Sequence, residues 1–320
     1  MKRLAVIFFL AGLARAADAK LEVLRIWGNP AMTTVVQQWE AGFARSHPEA
    51  KFENHLTGSD TAMAGLYTGK ADLALLGRSC SASEIQAFEW IFRYKPTQVE
   101  VMTGSFDQPG KSAALVVFVH LDNPLGELTS KQLAAVLRGG AGSVRSWGEL
   151  GVKGEWASQP IHLYVPDTIS NTGKFLQQAL LDGSKTMNWE HMTEFNDREK
   201  FQDPTHDASA QAIAALSADR FGLAVANMAF ASPRVRALAL RGPANAAAIA
   251  PTRASVASRE YLLARAAVVV VNQRPDAPLA VLTREFLDYV LSAEGQNAVE
   301  PGGYLPLTSR TISDQLAKLK

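Results

Sequence analysis

The sequence is poor in cysteine, with Cys80 as the single one among 320 residues. One thiol cannot form an internal disulfide or a Cys-x-x-Cys motif, which excludes disulfide-rich scaffolds and cysteine-based zinc or redox sites. No cysteine stands near the amino terminus, where a lipid anchor would need one, so we expect an unanchored protein.

An excess of charge of either sign is also missing. Lys and Arg number 32 and Asp and Glu 31, a net charge of +1, so nothing indicates a nucleic-acid partner. No apolar run reaches the roughly 18 residues that a membrane-spanning helix needs. With 47% hydrophobic and 20% charged residues, the composition is typical of a globular chain, and this length favours two lobes over one core.

The amino-terminal segment has the features of a secretory signal peptide. Lys2 and Arg3 precede the apolar run Leu4–Ala14, and small-x-small cleavage patterns end at Ala16 and Ala19. We therefore predict that residues 1–19 are a signal peptide, cleaved after residue 16 or 19, and that the mature protein is periplasmic.

Enzyme signatures are absent or fail on spacing. The segment Gly104–Ser112 imitates a nucleotide phosphate loop, but five residues separate its glycines where the motif needs four, and it leads into the strand-like run Ala113–His120 rather than a helix. No Gly-x-Ser-x-Gly elbow occurs, and no HExxH. Polar loop surface accounts for Glu190–Glu194 and for Asp203–Asp207 better than a metal site does. We predict no catalytic residues, no metal and no organic cofactor.

Strand-like and helix-like runs alternate along the chain, which predicts an α/β architecture with mostly parallel sheets. Apolar spacing marks helices beginning near residues 33, 59, 129, 173, 207 and 279. The clearest predicted strands are Leu21–Trp27, Lys51–Leu56, Asp72–Leu76, Ala113–His120, Ile161–Val165, Gly222–Ala226 and Ala266–Val271.

Three loops rich in Gly, Ser, Thr and Asn join a predicted strand to a predicted helix: Gly28–Thr33, Thr57–Thr61 and Ser170–Gly173. A helix N-terminus presents unpaired N–H groups and a partial positive charge, so it attracts anions. Each loop alone is better explained by an ordinary helix cap. Together they predict an anion site only if the fold brings them close to one another.

Longer stretches of the chain resemble the periplasmic phosphate-binding receptors of ABC-type uptake systems. The resemblance implies a type II periplasmic binding protein fold, with two α/β lobes joined by two crossover strands and a ligand in the cleft between them. It rests on Thr57–Thr61 with Gly69–Arg78, on Val117–Leu125 with Leu128–Leu133, and on Glu285–Gln296 with Gly303–Leu307.

We accordingly expect residues 20–116 and 266–320 to form lobe I and residues 117–265 to form lobe II. The resemblance implies a monomeric receptor, not an enzyme, that binds inorganic phosphate and delivers it to an inner-membrane ABC permease. Alternatives are another oxyanion as ligand, a sensor or scavenger role without transport, and a periplasmic serine hydrolase, which would need a base that the sequence does not identify.

The family's binding residues carry over in part. Ser59 matches the serine of the second loop, whereas Asn171 replaces the glycine of the usual Ser-Gly-Thr third loop, Pro166 replaces an arginine, and Arg78 stands where the best-known receptors have an aspartate. We expect Asn171 to keep the turn, since asparagine tolerates left-handed backbone angles. The expected contacts are the backbone N–H groups of Ala31 and Met32, the side chains of Ser59, Asp60, Thr61, Ser170, Asn171 and Thr172, and Arg78 as the only positive charge. An equal alternative is that Arg78 is a surface residue in an ordinary ion pair.

Overall fold

The computed structural model describes residues 23–184, 186–196 and 207–319, so the predicted signal peptide lies outside the described residues. The strands are β1 Val23–Gly28, β2 Lys51–His55, β3 Leu73–Leu76, β4 Thr97–Thr103, β5 Val116–His120, β6 Glu127–Thr129, β7 His162–Pro166, β8 Met192–Phe195, β9 Gly222–Ala226, β10 Val235–Ala237, β11 Ala239–Arg241 and β12 Ala266–Val271. The α-helices are α1 Thr33–Phe43, α2 Ser59–Tyr67, α3 Ala82–Phe92, α4 Ser130–Leu137, α5 Asn171–Leu181, α6 Ala208–Ala218, α7 Arg253–Ala257, α8 Val281–Val290, α9 Ala293–Asn297 and α10 Ser309–Lys318.

Two five-stranded sheets organise the chain, and they share one topology. The first has the order β2-β1-β3-β12-β4 and the second β8-β7-β9-β5-β10. In each sheet four strands run in one direction, and the fourth in the order, β12 or β5, runs against them. The predicted two-lobed α/β fold with mostly parallel sheets is therefore confirmed.

The central strands are apolar along their whole length because helices cover both faces of each sheet. Every residue of β3, β9 and β12 is buried, which is typical of central strands in α/β folds. The edge strand β2, with the sequence Lys-Phe-Glu-Asn-His, is mostly exposed. Separate apolar clusters fill the two faces of each sheet.

The lobes are joined by two crossing segments that lie side by side. The amide of Gly104 donates to the carbonyl of Arg265 at 2.7 Å, and that of Leu115 to Leu263 at 3.1 Å. The segment Gly104–Ser112, which imitates a phosphate loop in sequence, belongs to the first crossing and closes on itself through a bond from Ser105 N–H to the Ser112 carbonyl. No helix follows it, so it offers no phosphate-loop geometry.

Candidate functional site

The second predicted anion loop opens α2. Ser59 is the first residue of this helix, and its fully buried hydroxyl lies 3.5 Å from the amide of Gly77. The Thr61 hydroxyl donates to the carbonyl of Gly58 at 2.8 Å. Among the described residues no acceptor pairs with the amides of Ser59, Asp60 and Thr61. The start of α2 therefore presents three free donors at the carboxyl edge of the first sheet.

The third predicted loop opens α5 in the same way. Ser170 caps the helix, accepting from Gly173 N–H at 3.0 Å, while the amides of Asn171 and Thr172 have no acceptor in the described part of the chain. Asn171 has no positive φ, so it stands in the helix itself and the turn requires no left-handed residue there. The residue that must be glycine is Gly173, because a Cβ at that position would collide with the carbonyl of Asp167.

A lysine missed by the sequence reasoning connects these two helix starts. Lys174, in the first turn of α5, places its Nζ 2.7 and 3.0 Å from the two carboxylate oxygens of Asp60 in α2. One turn further along α5, Gln178 donates to the carbonyl of Cys80 at 3.2 Å. The first turns of α5, in one lobe, thus contact the start of α2 and the loop after β3 in the other lobe. The sequence signal for this contact was Lys174 itself, a cation four residues after Ser170, the serine that caps α5.

Arg78 is not a surface residue and is not the only cation. Its side chain is fully buried and pairs with Glu84 at 2.7 and 2.9 Å and with Asp60 at 3.0 Å. Burial by itself raises the pKa of Glu84, but the hydrogen bonds and charge of Arg78, with bonds from Ser81, hold it below its usual value. Two carboxylates therefore neutralise Arg78, and Lys174 supplies a further positive charge.

The first predicted loop differs from expectation. The amide of Ala31 donates to the side-chain oxygen of its cap residue Asn29 at 2.9 Å, and that of Met32 donates to the Asn29 carbonyl at 3.0 Å. The N–H groups expected to receive an anion are therefore occupied within the loop. Pro30 at the first position of a short 3-10 helix tightens the turn and produces this arrangement.

The first crossing segment reaches this same edge of the sheet. The hydroxyl of Ser112 packs so closely against Gly77 that a Cβ on this glycine would collide with the hydroxyl. The side-chain amide nitrogen of Asn29 is also near, 3.3 Å from where that Cβ would lie. The Ser59 hydroxyl lies 3.5 Å from the amide of the same Gly77. Ser112 is thus close to the start of α2, although the sequence predicted no role for its segment.

The described residues contain neither a cluster of metal ligands nor a membrane-spanning helix. The described residues contain no group of three His, Cys, Asp or Glu able to hold a metal; Asp203 and His206 lie outside them. Within the same residues no helix is long and apolar enough to cross a bilayer.

Known proteins match nearly the whole chain. The model of a PBP superfamily domain matches residues 14–294. The phosphate-binding protein PstS of Pseudomonas aeruginosa is 30% identical over 298 residues, covering 91% of this chain and 85% of the relative. A solved ABC-type phosphate transport receptor from Vibrio cholerae has a TM-score of 0.61 at 17% identity, covering 88% of this chain and 99% of the other. PstS from Borrelia burgdorferi has a TM-score of 0.62 at 16% identity, covering 90% and 100%. These structures share the two-lobed fold.

Proposed function

The chain belongs to the PBP superfamily, in the family of phosphate-binding receptors of ABC-type transporters, and we therefore propose that it binds inorganic phosphate between its lobes and delivers it to an inner-membrane permease. The segment 1–19 and the kinship with PstS support a periplasmic location. Sheet membership supports lobe boundaries near residues 116 and 266, since β1–β4 and β12 form one sheet and β5 and β7–β10 another.

The observation that carries the proposal is the pair of helix starts, one from each lobe, that the ion pair between Lys174 and Asp60 brings together. Each contributes a partial positive charge of about half a unit together with free N–H donors. Ser59 and Thr172 add hydroxyls, and the ammonium of Lys174 lies between the two helix starts. Donors from both lobes can surround one small tetrahedral anion, so binding the anion holds the lobes together.

The hydrolase alternative lacks support in this geometry. The Ser59 hydroxyl contacts the Gly77 amide, and the Ser170 hydroxyl bonds Asp167 O and Gly173 N. No histidine among the described residues hydrogen-bonds either hydroxyl, so neither serine has the base that nucleophilic catalysis needs. The same site is compatible with another oxyanion as ligand, which titrations with several anions distinguish from phosphate. It is equally compatible with a sensing or scavenging role, which a phosphate-uptake assay in cells lacking the protein separates from transport.

We expect inorganic phosphate to raise the melting temperature of the mature protein. A ligand at 100 times its dissociation constant stabilises the folded state by about 2.7 kcal/mol, which a thermal melt detects readily. Sulfate, arsenate and molybdate run in parallel identify the preferred anion. If millimolar concentrations of all four anions leave the melting temperature unchanged, the receptor function is contradicted. If another anion raises it more than phosphate does, that anion is the ligand.

We expect Ser59→Ala and Thr172→Ala each to weaken phosphate binding by about 1.5 kcal/mol, roughly tenfold, because each removes a hydrogen bond to a charged ligand. Isothermal titration calorimetry measures the loss. The matched control is Thr308→Ala, which also removes a helix-starting hydroxyl but from α10. Ser112 is unsuitable as a control because it packs against Gly77. Equal losses in all three variants would place the anion elsewhere.

A further inference from the structure

A cavity of about 440 Å³ lies between the lobes. Its volume falls in the range of sites for small organic ligands and far exceeds the needs of a tetrahedral oxyanion. Lobe I and the second crossing contribute one wall and α5 the other. The lining includes Arg78, Ala82, Ile85, Phe175, Asp182 and Arg265.

Arg265, which lines this cavity, is a buried cation with no carboxylate partner among the described residues. Arg265 is only 4% exposed, and its Nε and Nη1 have no hydrogen-bond partner among the described residues. Burial lowers the pKa of Arg265 to about 10, so it is still protonated at neutral pH. The guanidinium lies 5.3 Å from the ring centre of Phe175, but a cation–π contact offsets only part of the cost of burying a full charge.

The neighbouring charges cancel and leave Arg265 as the surplus. Arg78 and Lys174 are balanced by Glu84 and Asp60, to which they are joined by direct ion pairs. The described residues supply no carboxylate in an ion pair with Arg265; Asp182 lines the cavity but is exposed. A single uncompensated positive charge is matched by a monoanion, and a carboxylate is the group that a guanidinium pairs with best at that charge.

We propose that this cavity is a second binding site, for a small monocarboxylate whose charged group pairs with Arg265 and whose apolar body packs against Ile85 and Phe175. The cavity adjoins the start of α2 through Arg78, which bonds Asp60, but none of the four hydroxyls expected to bind phosphate lines it. The proposal does not depend on phosphate binding. Because Ile85 belongs to lobe I and Phe175 to lobe II, an occupant contacts both lobes.

The test compares valerate with valeramide, a neutral molecule of the same shape, by isothermal titration calorimetry. We expect wild-type protein to bind valerate at least about tenfold more tightly than valeramide, and Arg265→Gln to lose this preference, because the charge pair is gone. Ala82→Trp, at an exposed position of the cavity wall, should block valerate by filling the space. The control Arg259→Gln removes another arginine of the second crossing, one that already pairs with Glu100, and should leave valerate affinity within about twofold of wild type.

Valerate that does not bind the folded wild-type protein overturns the proposal, as does equal binding of valeramide or an unchanged preference in Arg265→Gln. If Arg265→Gln does not fold, Ala82→Trp decides, because full valerate binding in that variant means that the cavity is not the site. Phosphate is titrated into the same samples without valerate. Its binding or failure to bind is thus read independently of the carboxylate result.

Discussion

Replacing Glu84 by alanine should lower the free energy of unfolding by about 3–5 kcal/mol, the usual cost of leaving a buried charge without its partner. Glu84 holds the fully buried guanidinium of Arg78 through two bonds of 2.7 and 2.9 Å. Asp60, the other partner of Arg78, has a mostly exposed side chain and bonds it once. Chemical denaturation of the wild type and of Glu84→Ala measures the difference.

The matched control separates this ion pair from the helix cap to which Glu84 also contributes. Ser81 and Glu84 form a capping box at the start of α3. Ser81→Ala removes the cap and keeps the ion pair, and it should cost about 1 kcal/mol. A loss in Glu84→Ala no larger than in Ser81→Ala would mean that Arg78 is stabilised by something other than Glu84.

The same pair predicts sensitivity to acid. The pKa of Glu84 in the folded protein lies below its ordinary value of 4.5. Its contribution to stability is therefore present above pH 4.5 and is lost as the pH falls through the lower, folded-state pKa. Glu84→Gln cannot titrate, so its unfolding free energy should fall less steeply than that of the wild type over this acid range.

The sequence predicted the fold well where local signals suffice. Gly222–Ala226 and Ala266–Val271 form strands with the predicted bounds, because buried central strands are uninterrupted apolar runs. The helix α3 was missed, since exposed Trp90 and Ile91 blur its apolar stripe. The Ser81-x-x-Glu84 pattern was the signal that could have located its start.

The site was predictable only in its local parts. The N-termini of α2 and α5 were found because the start of a helix leaves its mark in adjacent residues. The bond between Asp60 and Lys174 joins residues 114 apart in the chain, and no local pattern encodes such a contact. The sequence likewise identifies Arg265 as a cation. That its Nε and Nη1 have no hydrogen-bond partner among the described residues depends on which side chains the fold packs around it.

Asp60 has the chemistry to distinguish phosphate from sulfate. At neutral pH phosphate still carries a proton and sulfate carries none, so a carboxylate accepts a hydrogen bond from the first and repels the second. An ionised carboxylate has about four acceptor positions. Arg78 and Lys174 occupy two on Oδ1, and Lys174 occupies one on Oδ2. One position on Oδ2 therefore stays open to a proton of the ligand.

Asp60→Asn should narrow the preference for phosphate over sulfate by about 2–4 kcal/mol, since it replaces one carboxylate oxygen by an N–H donor and removes the like-charge repulsion that costs sulfate several kcal/mol. Most of the change should appear as tighter sulfate binding, because the negative charge of Asp60 no longer competes with sulfate for Lys174 and Arg78. Titrations of both anions into the wild type and the variant measure the ratio. Asp72→Asn, which breaks an arginine pair with Arg25, is the control and should leave the ratio unchanged. If the ratio is also unchanged in Asp60→Asn, the Asp60 carboxylate serves only to pair with Lys174 and Arg78 and to stabilise the N-terminus of α2. The discrimination between phosphate and sulfate must then come from donors and acceptors elsewhere around the anion.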